Sequence, residues 1–447
     1  MALRISVSGF FFAILTFALP VYAQPPNYDI QELEPLPGLF PLTAVHDLAN
    51  SGEAVGGTWK EEAIGAQNHH AVLWSASGEP TDIGDNGRWS EARGISETGF
   101  IVGRHDVVAG MRGALWTGQV RQMLPPLPGQ PASEAYDVDD SGIAIGVSLI
   151  SSTDVTAVRW VNGNPQILPG ANGMSWAVAV NGGGQTVGRR DIWPERHAML
   201  WEGTAFTVLP DLGGDFAWAT NINDNGTICG GSLDGSSELF SVIWNGPTHE
   251  ITILPDPGFG AYTRVHDVND QGIAVGEICL SIECEPGDQR ALLWIDGGVY
   301  NLNTLIPPGT GWTLFSAEAI NEAGEIVCIG AYDGFVSPRG FKLTPQATAS
   351  VPAAGAGVAT LRLAPNPTYG KGDISWSTSI PGAATLNIYD VTGRWVASRH
   401  FPHLPAGISR ASWGSLVGPS EIGRGVYLLR LERADGSTEH ARAMVMR

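Results

Sequence analysis

Alternating apolar and polar residues recur along the chain in short runs, and successive runs are separated by polar turns that end in glycine. Asn223–Gly226 and Asn269–Gly272 are two such turns, and apolar runs lie on both sides of each. Period-two alternation is typical of half-buried β-strands, and the glycine supplies the positive φ that a tight hairpin turn with a bulge requires. The pattern therefore predicts β-hairpins along most of the chain.

Two landmarks repeat with the same period of about 45 residues. The turn glycines are Gly52, Gly99, Gly142, Gly184, Gly226, Gly272 and Gly324. A tryptophan follows each of the first six, namely Trp74, Trp116, Trp160, Trp201, Trp244 and Trp294, and Phe341 takes the seventh place. Four strands in about 45 residues is the size of one β-propeller blade. Seven copies predict an all-β chain whose body, residues 24–345, is a seven-bladed β-propeller.

A solenoid is the rival architecture, because it uses repeats of similar length. The ends of the repeat region favour a closed ring. The seventh copy stops at Pro345 without a fourth strand, and Asp29–Leu36 precedes the first copy as an unpaired strand. We expect this N-terminal strand to complete the last blade, which would remove two exposed sheet edges.

The strand order assigns the turns to two faces of the predicted ring. The glycine-ended turns lie on one face, which we call the hairpin face. The connections between the second and third strands of each copy lie on the opposite face, together with the connections between copies; we call this the loop face. The loops between second and third strands vary most in length and chemistry, and variable loops on a rigid scaffold are a common place for binding sites.

The repeat resembles a known class. His70–Trp74 (HAVLW) and His197–Trp201 (HAMLW), each after a glycine-ended hairpin, are similar to the HAF repeats of exported bacterial proteins. The resemblance covers about 300 residues and implies an extracellular, propeller-like array. It implies no particular activity.

The last fifth of the chain resembles a second family. Residues 346–359 are rich in Ala, Gly and Pro and are predicted to be a linker. Residues 360–447 contain short alternating strands, which predict a small immunoglobulin-like β-sandwich. The motifs P-N-P, I-Y-D-x-x-G-R and G-V-Y within Ala364–Pro367, Leu386–Arg394 and Gly425–Leu431 are similar to the C-terminal sorting domain of type IX secretion cargo. This resemblance implies the type IX machinery as a partner and an extracellular or outer-membrane surface location.

The N-terminal residues have the pattern of an export signal. Arg4, an apolar run and the A-x-A-type site Val21–Ala23 predict a signal peptide over residues 1–23. No other run is long and apolar enough to span a bilayer.

The net charge of the chain is −20, and because the part from Gly355 onward carries +4, the body carries −24. An acidic body repels phosphate backbones, so nucleic acid is not an expected partner.

Cysteine and carboxylate spacing suggests two further features. Cys279 and Cys284 flank a four-residue loop and are a candidate disulfide in an oxidising compartment.

Asp137, Asp139 and Ser141 place oxygen atoms at alternate positions, like the start of a calcium loop. The later bidentate carboxylate of such a loop is missing, so a hydrogen-bonded hairpin turn is favoured over calcium, and no cofactor is expected.

Two kinds of motif could carry chemistry. His46-Asp47 and His266-Asp267 have the composition of a general-base pair, but they occupy equivalent places in two copies, which favours a structural role. Two better candidates for ligand binding begin variable loops of the loop face. Their residues are Arg104, His105, Asp106, Arg189, Arg190, Asp191 and Trp193. Guanidinium groups and aromatic faces suit a sugar or a peptide.

The favoured function is therefore a non-enzymatic, exported module that binds a glycan or a protein through the loop face. A carbohydrate-active hydrolase or lyase that uses Asp106 and Asp191 is the first alternative, and a structural envelope protein is the second. The sequence has no nucleophile elbow of the G-x-S-x-G type and no metal-spaced cluster of His and Cys.

Overall fold

The chain folds into two compact units, Met1–Thr348 and Ala349–Arg447, in a computed structural model. The structure describes residues 25–38, 42–59, 69–84, 88–108, 110–284, 287–332, 337–346, 361–364, 373–378, 382–390, 394–404, 407–413, 425–433 and 438–445. The predicted signal peptide lies outside these residues, as does the predicted linker from residue 347 onward.

The first unit consists of groups of four antiparallel strands that follow one another along the chain, each called a sheet below. Sheets 4 and 5 are joined by one parallel pair, Arg196 with Phe216. Sheet 1 has β2 (Leu42–Leu48), β3 (Ala54–Trp59), β4 (His69–Trp74) and β5 (Pro80–Asp82). Sheet 2 has β6 (Ser90–Ile95), β7 (Phe100–Val107), β8 (Gly110–Thr117) and β9 (Val120–Leu124). Sheet 3 has β10 (Ala132–Val138), β11 (Ala144–Ser151), β12 (Asp154–Val161) and β13 (Asn164–Ile167). Sheet 4 has β14 (Ser175–Val180), β15 (Thr186–Ile192), β16 (Glu195–Glu202) and β17 (Ala205–Val208).

Three more sheets complete the unit. Sheet 5 has β18 (Gly213–Ile222), β19 (Ile228–Asp234), β20 (Leu239–Asn245) and β21 (Glu250–Ile253). Sheet 6 has β22 (Tyr262–Val268), β23 (Ala274–Cys279), β24 (Gln289–Ile295) and β25 (Gly298–Asn301), and a 3-10 turn (Leu302–Thr304) follows it. Sheet 7 has β26 (Trp312–Ile320), β27 (Ile326–Tyr332) and β28 (Arg339–Pro345), with β1 (Tyr28–Glu32) as its fourth strand. The predicted all-β class is confirmed.

The sheets are arranged in a closed cycle. The first strand of each sheet contacts the first strand of the next, and β26 of sheet 7 contacts β2 of sheet 1. The N-terminal strand joins the two ends, because Tyr28 pairs with Pro345 and Glu32 pairs with Phe341. Tyr28 and Leu33 are buried, so this strand contributes to the core as well as to the sheet.

The repeated tryptophans connect neighbouring sheets. The side chains of Trp74, Trp160, Trp201, Trp244 and Trp294 are almost fully buried. The indole N–H of Trp160 donates to the carbonyl of Pro125 at 2.7 Å, and that of Trp201 donates to the carbonyl of Pro169 at 2.9 Å. Each acceptor follows the fourth strand of the preceding sheet, so a Leu-Pro pair there supplies the carbonyl that holds the next tryptophan.

The turns of the hairpin face are also linked from sheet to sheet. The carboxamide nitrogen at the first turn position donates to the carbonyl of the equivalent residue in the next sheet. These bonds run from Asn181 to Asn223 (3.0 Å), from Asn223 to Asn269 (2.8 Å), from Asn269 to Asn321 (3.1 Å) and from Asn321 to Ala49 (3.2 Å). The last bond joins sheet 7 to sheet 1. We call this series the asparagine ladder.

In sheets 1 to 6 a glycine of the second strand faces a bulge in the first strand, whereas Cys328 takes this place in sheet 7. In sheet 4 the register shifts between Ala177 and Ala179, which leaves Val178 unpaired, and the facing residue on β15 is Gly188. A Cβ atom on Gly188 would lie 2.0 Å from the carbonyl oxygen of Trp176. The bulge and the glycine therefore depend on each other.

The described residues of the second unit form two sheets. One has β29 (Arg362–Ala364), β30 (Asp373–Thr378) and β33 (Gly407–Ser412), and the other has β31 (Gly382–Asp390), β32 (Trp395–Leu404), β34 (Gly425–Arg433) and β35 (Thr438–Val445). Trp376, Leu386, Ile388 and Leu431 are buried in its core.

Candidate functional site

The bulges direct one side chain per sheet toward a common cavity of about 280 Å³. These seven residues are His46, Arg93, Tyr136, Val178, Thr220, His266 and Glu318. The cavity extends to the hairpin face, where Glu97, Asp140, Asp224 and Glu322 line it. Burial, together with the charges of Asp140 and Asp224, raises the pKa of Glu97, so this end of the cavity is strongly acidic.

Three aspartates beside the bulges fasten sheets together. The Asp47 carboxylate accepts the backbone N–H of Leu48 and of Ile95 in sheet 2, both at 2.8 Å. Asp137 and Asp267 likewise each accept the N–H of the following residue and one N–H of another sheet. The second donor is in sheet 4 for Asp137 and in sheet 7 for Asp267. Burial raises the pKa of Asp47 to about 6 and that of Asp267 to about 7. It also raises the pKa of Asp137.

These shifts predict an unusual dependence of stability on pH. The folded protein holds the protons of Asp47 and Asp267 more tightly than the unfolded chain does, so the free energy of unfolding should fall as pH rises from about 4 through about 7. Acid should also destabilise the folded protein, because the pKa of Glu91 lies below its usual range. The stabilisation that ionised Glu91 gives the folded state is lost below about pH 4.5. Urea unfolding between pH 3 and 8 should therefore show a stability maximum at about pH 4, where the two effects balance. A maximum at pH 7 or above would contradict this prediction.

Glu91 is the centre of a second cluster, toward the loop face. Its carboxylate lies 3.3 Å from Nε2 of His46, 3.1 Å from Nε of Arg93 and 3.0 Å from Nε of Arg104. Burial opposes ionisation of Glu91, but the hydrogen bond from His46 and the charges of His46, Arg93 and Arg104 outweigh it and lower the pKa. Glu134 of sheet 3 lies within 3.9 Å of both guanidinium groups. Besides His46, the cluster therefore contains two arginines and two glutamates.

Flat side chains stack beside this cluster. The imidazole of His69 lies between the indoles of Trp59 and Trp89, with ring centroids 5.1 Å and 4.6 Å away. The guanidinium of Arg104 covers Trp89 at 4.2 Å. All four side chains are half-buried, so they form an ordered surface with accessible edges. We call Trp59, His69, Trp89 and Arg104 the stacked site.

A related arrangement occurs on sheet 4. The Arg189 guanidinium covers the ring of Trp176 at 3.9 Å. Trp176 and Glu91 occupy the same place in the repeat, as do Arg189 and Arg104. Sheets 2 and 4 thus each place an arginine over an indole on the loop-face side.

The structure brings together some of the predicted ligand-binding residues and separates others. Arg104 belongs to the stacked site, and Arg189 and Asp191 interact on sheet 4. His105 is buried, and the backbone N–H of Asp106 donates to the carbonyl of Trp89. Arg190 follows Arg189 on β15, and residues adjacent in a strand point to opposite faces of the sheet. Trp193 lies at the β15–β16 turn and is 89% exposed.

The remaining candidates have defined contacts. Asp139 accepts hydrogen bonds from the N–H and Oγ of Ser141 and from the N–H of Ile143, which is the bonding of a hairpin turn. Cys279 and Cys284 form a disulfide, whereas Cys229 and Cys328 are buried and free.

The two His-Asp pairs do not act as dyads in this structure. His46 contacts Glu91, and Nδ1 of His266 lies 3.1 Å from the carbonyl oxygen of Ala317. The neighbouring aspartates accept backbone N–H groups instead.

Sequence reasoning missed Trp59, His69, Trp89, Glu91 and Arg196. A signal for one of them was present. Glu91, Glu134, Trp176, Trp218 and Arg264 occupy the same place in successive copies, where the residues are large and variable. An alignment of the copies with one another would have marked this place as a variable position on a constant frame. The contacts between sheets could not be obtained in this way.

No family model matches the sequence, and no curated protein matches it. Solved structures with a similar fold include a fungal alcohol oxidase of the AA5 family in complex with copper, at 12% identity over 95% of this chain and 100% of that chain (TM-score 0.45). YCF48 bound to D1 peptide has 12% identity over 73% and 98% of the two chains (TM-score 0.44). The β-propeller domain of the Trilobed protease from Pyrococcus furiosus has 11% identity over 65% and 92% (TM-score 0.43). By its description, the last of these neighbours is a β-propeller domain. Within the described residues, no helix is long and apolar enough to cross a membrane.

Proposed function

We propose that the protein is an exported binding module whose first unit is a seven-bladed β-propeller, with each of the seven sheets as one blade. The second unit is the immunoglobulin-like sorting domain, which delivers the protein to the cell surface or the medium through the type IX machinery. The sequence motifs of residues 360–447 and the predicted signal peptide support this assignment.

The ligand is a glycan that binds on the loop face at the stacked site. The observation that carries this proposal is the stack of Trp59, His69, Trp89 and Arg104 above the buried, ionised Glu91. Rigid aromatic rings offer contact area with little loss of conformational entropy. Because His69 and Arg104 already cover the ring of Trp89, the sugar contacts the accessible edges of the stack. The ion pairs to Glu91 fix the arginine before the ligand arrives, which reduces the entropy that binding must overcome.

A hydrolase that uses Asp106 and Asp191 has less support. The carboxylate of Asp191 is engaged by two arginines, at 3.1 Å and 3.6 Å. A binding module needs only the rigid surface that sheets 1 and 2 provide.

Replacement of Trp89 by alanine is expected to weaken glycan binding about tenfold or more, because it removes the ring that contacts both His69 and Arg104. The full chain would be incubated with a panel of immobilised polysaccharides, and both retention and new reducing ends would be measured. Retention without new ends is the expected result.

Trp395→Ala is the matched control, since Trp395 is an exposed tryptophan of the second unit. Trp89→Phe should keep most of the affinity. Equal retention of the wild type and the Trp89→Ala variant would exclude the stacked site, and new reducing ends would favour the enzyme.

A further inference from the structure

Sheet 4 contains two arginines that share one carboxylate. Oδ1 of Asp191 lies 3.1 Å from Nε of Arg196 and 3.6 Å from Nε of Arg189. The first contact is a hydrogen bond, whereas Nε of Arg189 is buried and has no hydrogen-bond partner. Both guanidinium groups lie over aromatic rings, Arg189 over Trp176 and Arg196 over Phe216 at 4.9 Å.

The ratio of arginines to carboxylates around Asp191 differs from the ratio at the equivalent places of other sheets. In sheet 6, Arg264 pairs with Glu277 at 3.0 Å, one cation with one anion. In sheets 2 and 3, Arg93 and Arg104 contact Glu91 and Glu134. Among the described residues, the carboxylate that pairs with Arg189 and Arg196 is that of Asp191 alone. Burial and the charge of Arg196 lower the pKa of Arg189.

A half-buried pair of like charges is unfavourable unless an anion lies between them. Each of these side chains is about 30% exposed, so the pair is accessible from solvent. Because a guanidinium presents several donors in one plane, two of them can hold a second carboxylate with charge-assisted hydrogen bonds.

We propose that Arg189 and Arg196 bind the carboxylate of a uronate unit, so that the ligand is an acidic polysaccharide. This inference rests on the proposed function, because it assigns the chemical class of the glycan that binds the loop face. Asp191 keeps the two guanidinium groups in place, and the ligand carboxylate supplies the missing negative charge.

The surroundings favour a polysaccharide over an acidic peptide. Trp176 and Phe216 lie beside the arginines, and sheet 2 repeats the arrangement of an arginine over an indole. A polysaccharide presents an apolar C–H face in every unit, whereas the backbone of an acidic peptide has no such face. The body of the protein is strongly acidic, so an anionic polymer is attracted only where arginines outnumber carboxylates.

The test compares two probes that differ only in charge: a defined-length oligogalacturonate and its methyl ester. Titration calorimetry with the full chain should show that the acid form binds and that the ester binds at least about tenfold more weakly, the loss expected for one charge-assisted contact. Arg189→Gln and Arg196→Gln should each weaken binding of the acid form by a similar factor.

Arg159→Gln is the control, since Arg159 lies near the turns of the hairpin face and bonds to the carbonyl of Gly203. Arg196→Lys keeps the charge and should fall between wild type and Arg196→Gln. Equal binding of acid and ester, with loss on Trp89→Ala, would overturn the uronate proposal and leave the glycan site intact. The proposal would also be overturned if neither probe bound. If oligoglutamate bound and its binding depended on the two arginines in the same way, the ligand would be an acidic peptide instead. Loss on Arg189→Gln with no effect of Trp89→Ala would support the arginine pair and overturn the stacked site.

Discussion

Gly188→Ala is expected to lower the free energy of unfolding of the first unit by at least about 3 kcal/mol. The added Cβ would lie 2.0 Å from the carbonyl oxygen of Trp176, which belongs to the backbone and cannot move without opening the bulge at Val178. The measurement is urea unfolding followed by tryptophan fluorescence. Movement of Trp176 should also lower the affinity for any ligand that binds near Arg189.

A second alanine substitution separates this clash from the general effect of removing a glycine. Gly235 lies in the turn between β19 and β20, where an added Cβ would be 3.7 Å from the nearest atom outside its chain neighbours. Gly235→Ala should change stability by less than about 1 kcal/mol. Similar stabilities for the two variants would show that the bulge does not require glycine.

Removal of the N-terminal strand is expected to destabilise the first unit by roughly 5 kcal/mol or more, from the loss of three buried apolar side chains. These are Tyr28, Leu33 and Leu36. The loss is comparable to the whole stability of many domains, and it exposes the edge of β28, which invites aggregation. The measurement is the thermal midpoint and the oligomeric state of a chain that lacks residues 25–38.

A synthetic peptide of residues 25–38 provides the control, because it can pair with β28 in trans. Addition of this peptide should restore the thermal midpoint, whereas a peptide with Tyr28 and Leu33 replaced by serine should not. An unchanged midpoint after removal of the strand would mean that β26–β28 are stable without it.

The strands and turns could be predicted because their causes are local. The turn glycines have φ between +76° and +84°, as the hairpin pattern requires, and the alternation of apolar residues marks the strands. The bulges were harder to foresee, because the glycine that permits one lies on the second strand and the displaced residue lies on the first. Both are visible in the sequence only after the pairing of the two strands is known.

The candidate site depends on contacts between different copies of the repeat, and these have no local signal. Arg104 was identified from its loop, but its partner Glu91 and the ring of Trp89 precede it in the same sheet, and His69 comes from sheet 1. Arg196 follows Asp191 across a turn, and its place in the sequence carries no sign of a special role. Its significance comes from the carboxylate that it shares with Arg189.

The asparagine ladder bears on how such a protein can change its size over evolutionary time. Each carboxamide binds a backbone carbonyl of the next sheet, and the last one, from Asn321, binds the carbonyl of Ala49, a residue without a polar side chain. Since the acceptor does not depend on the identity of the neighbour, a duplicated or deleted copy would still find its bond. Gene segments that encode one sheet can therefore be gained or lost without compensating substitutions at this contact.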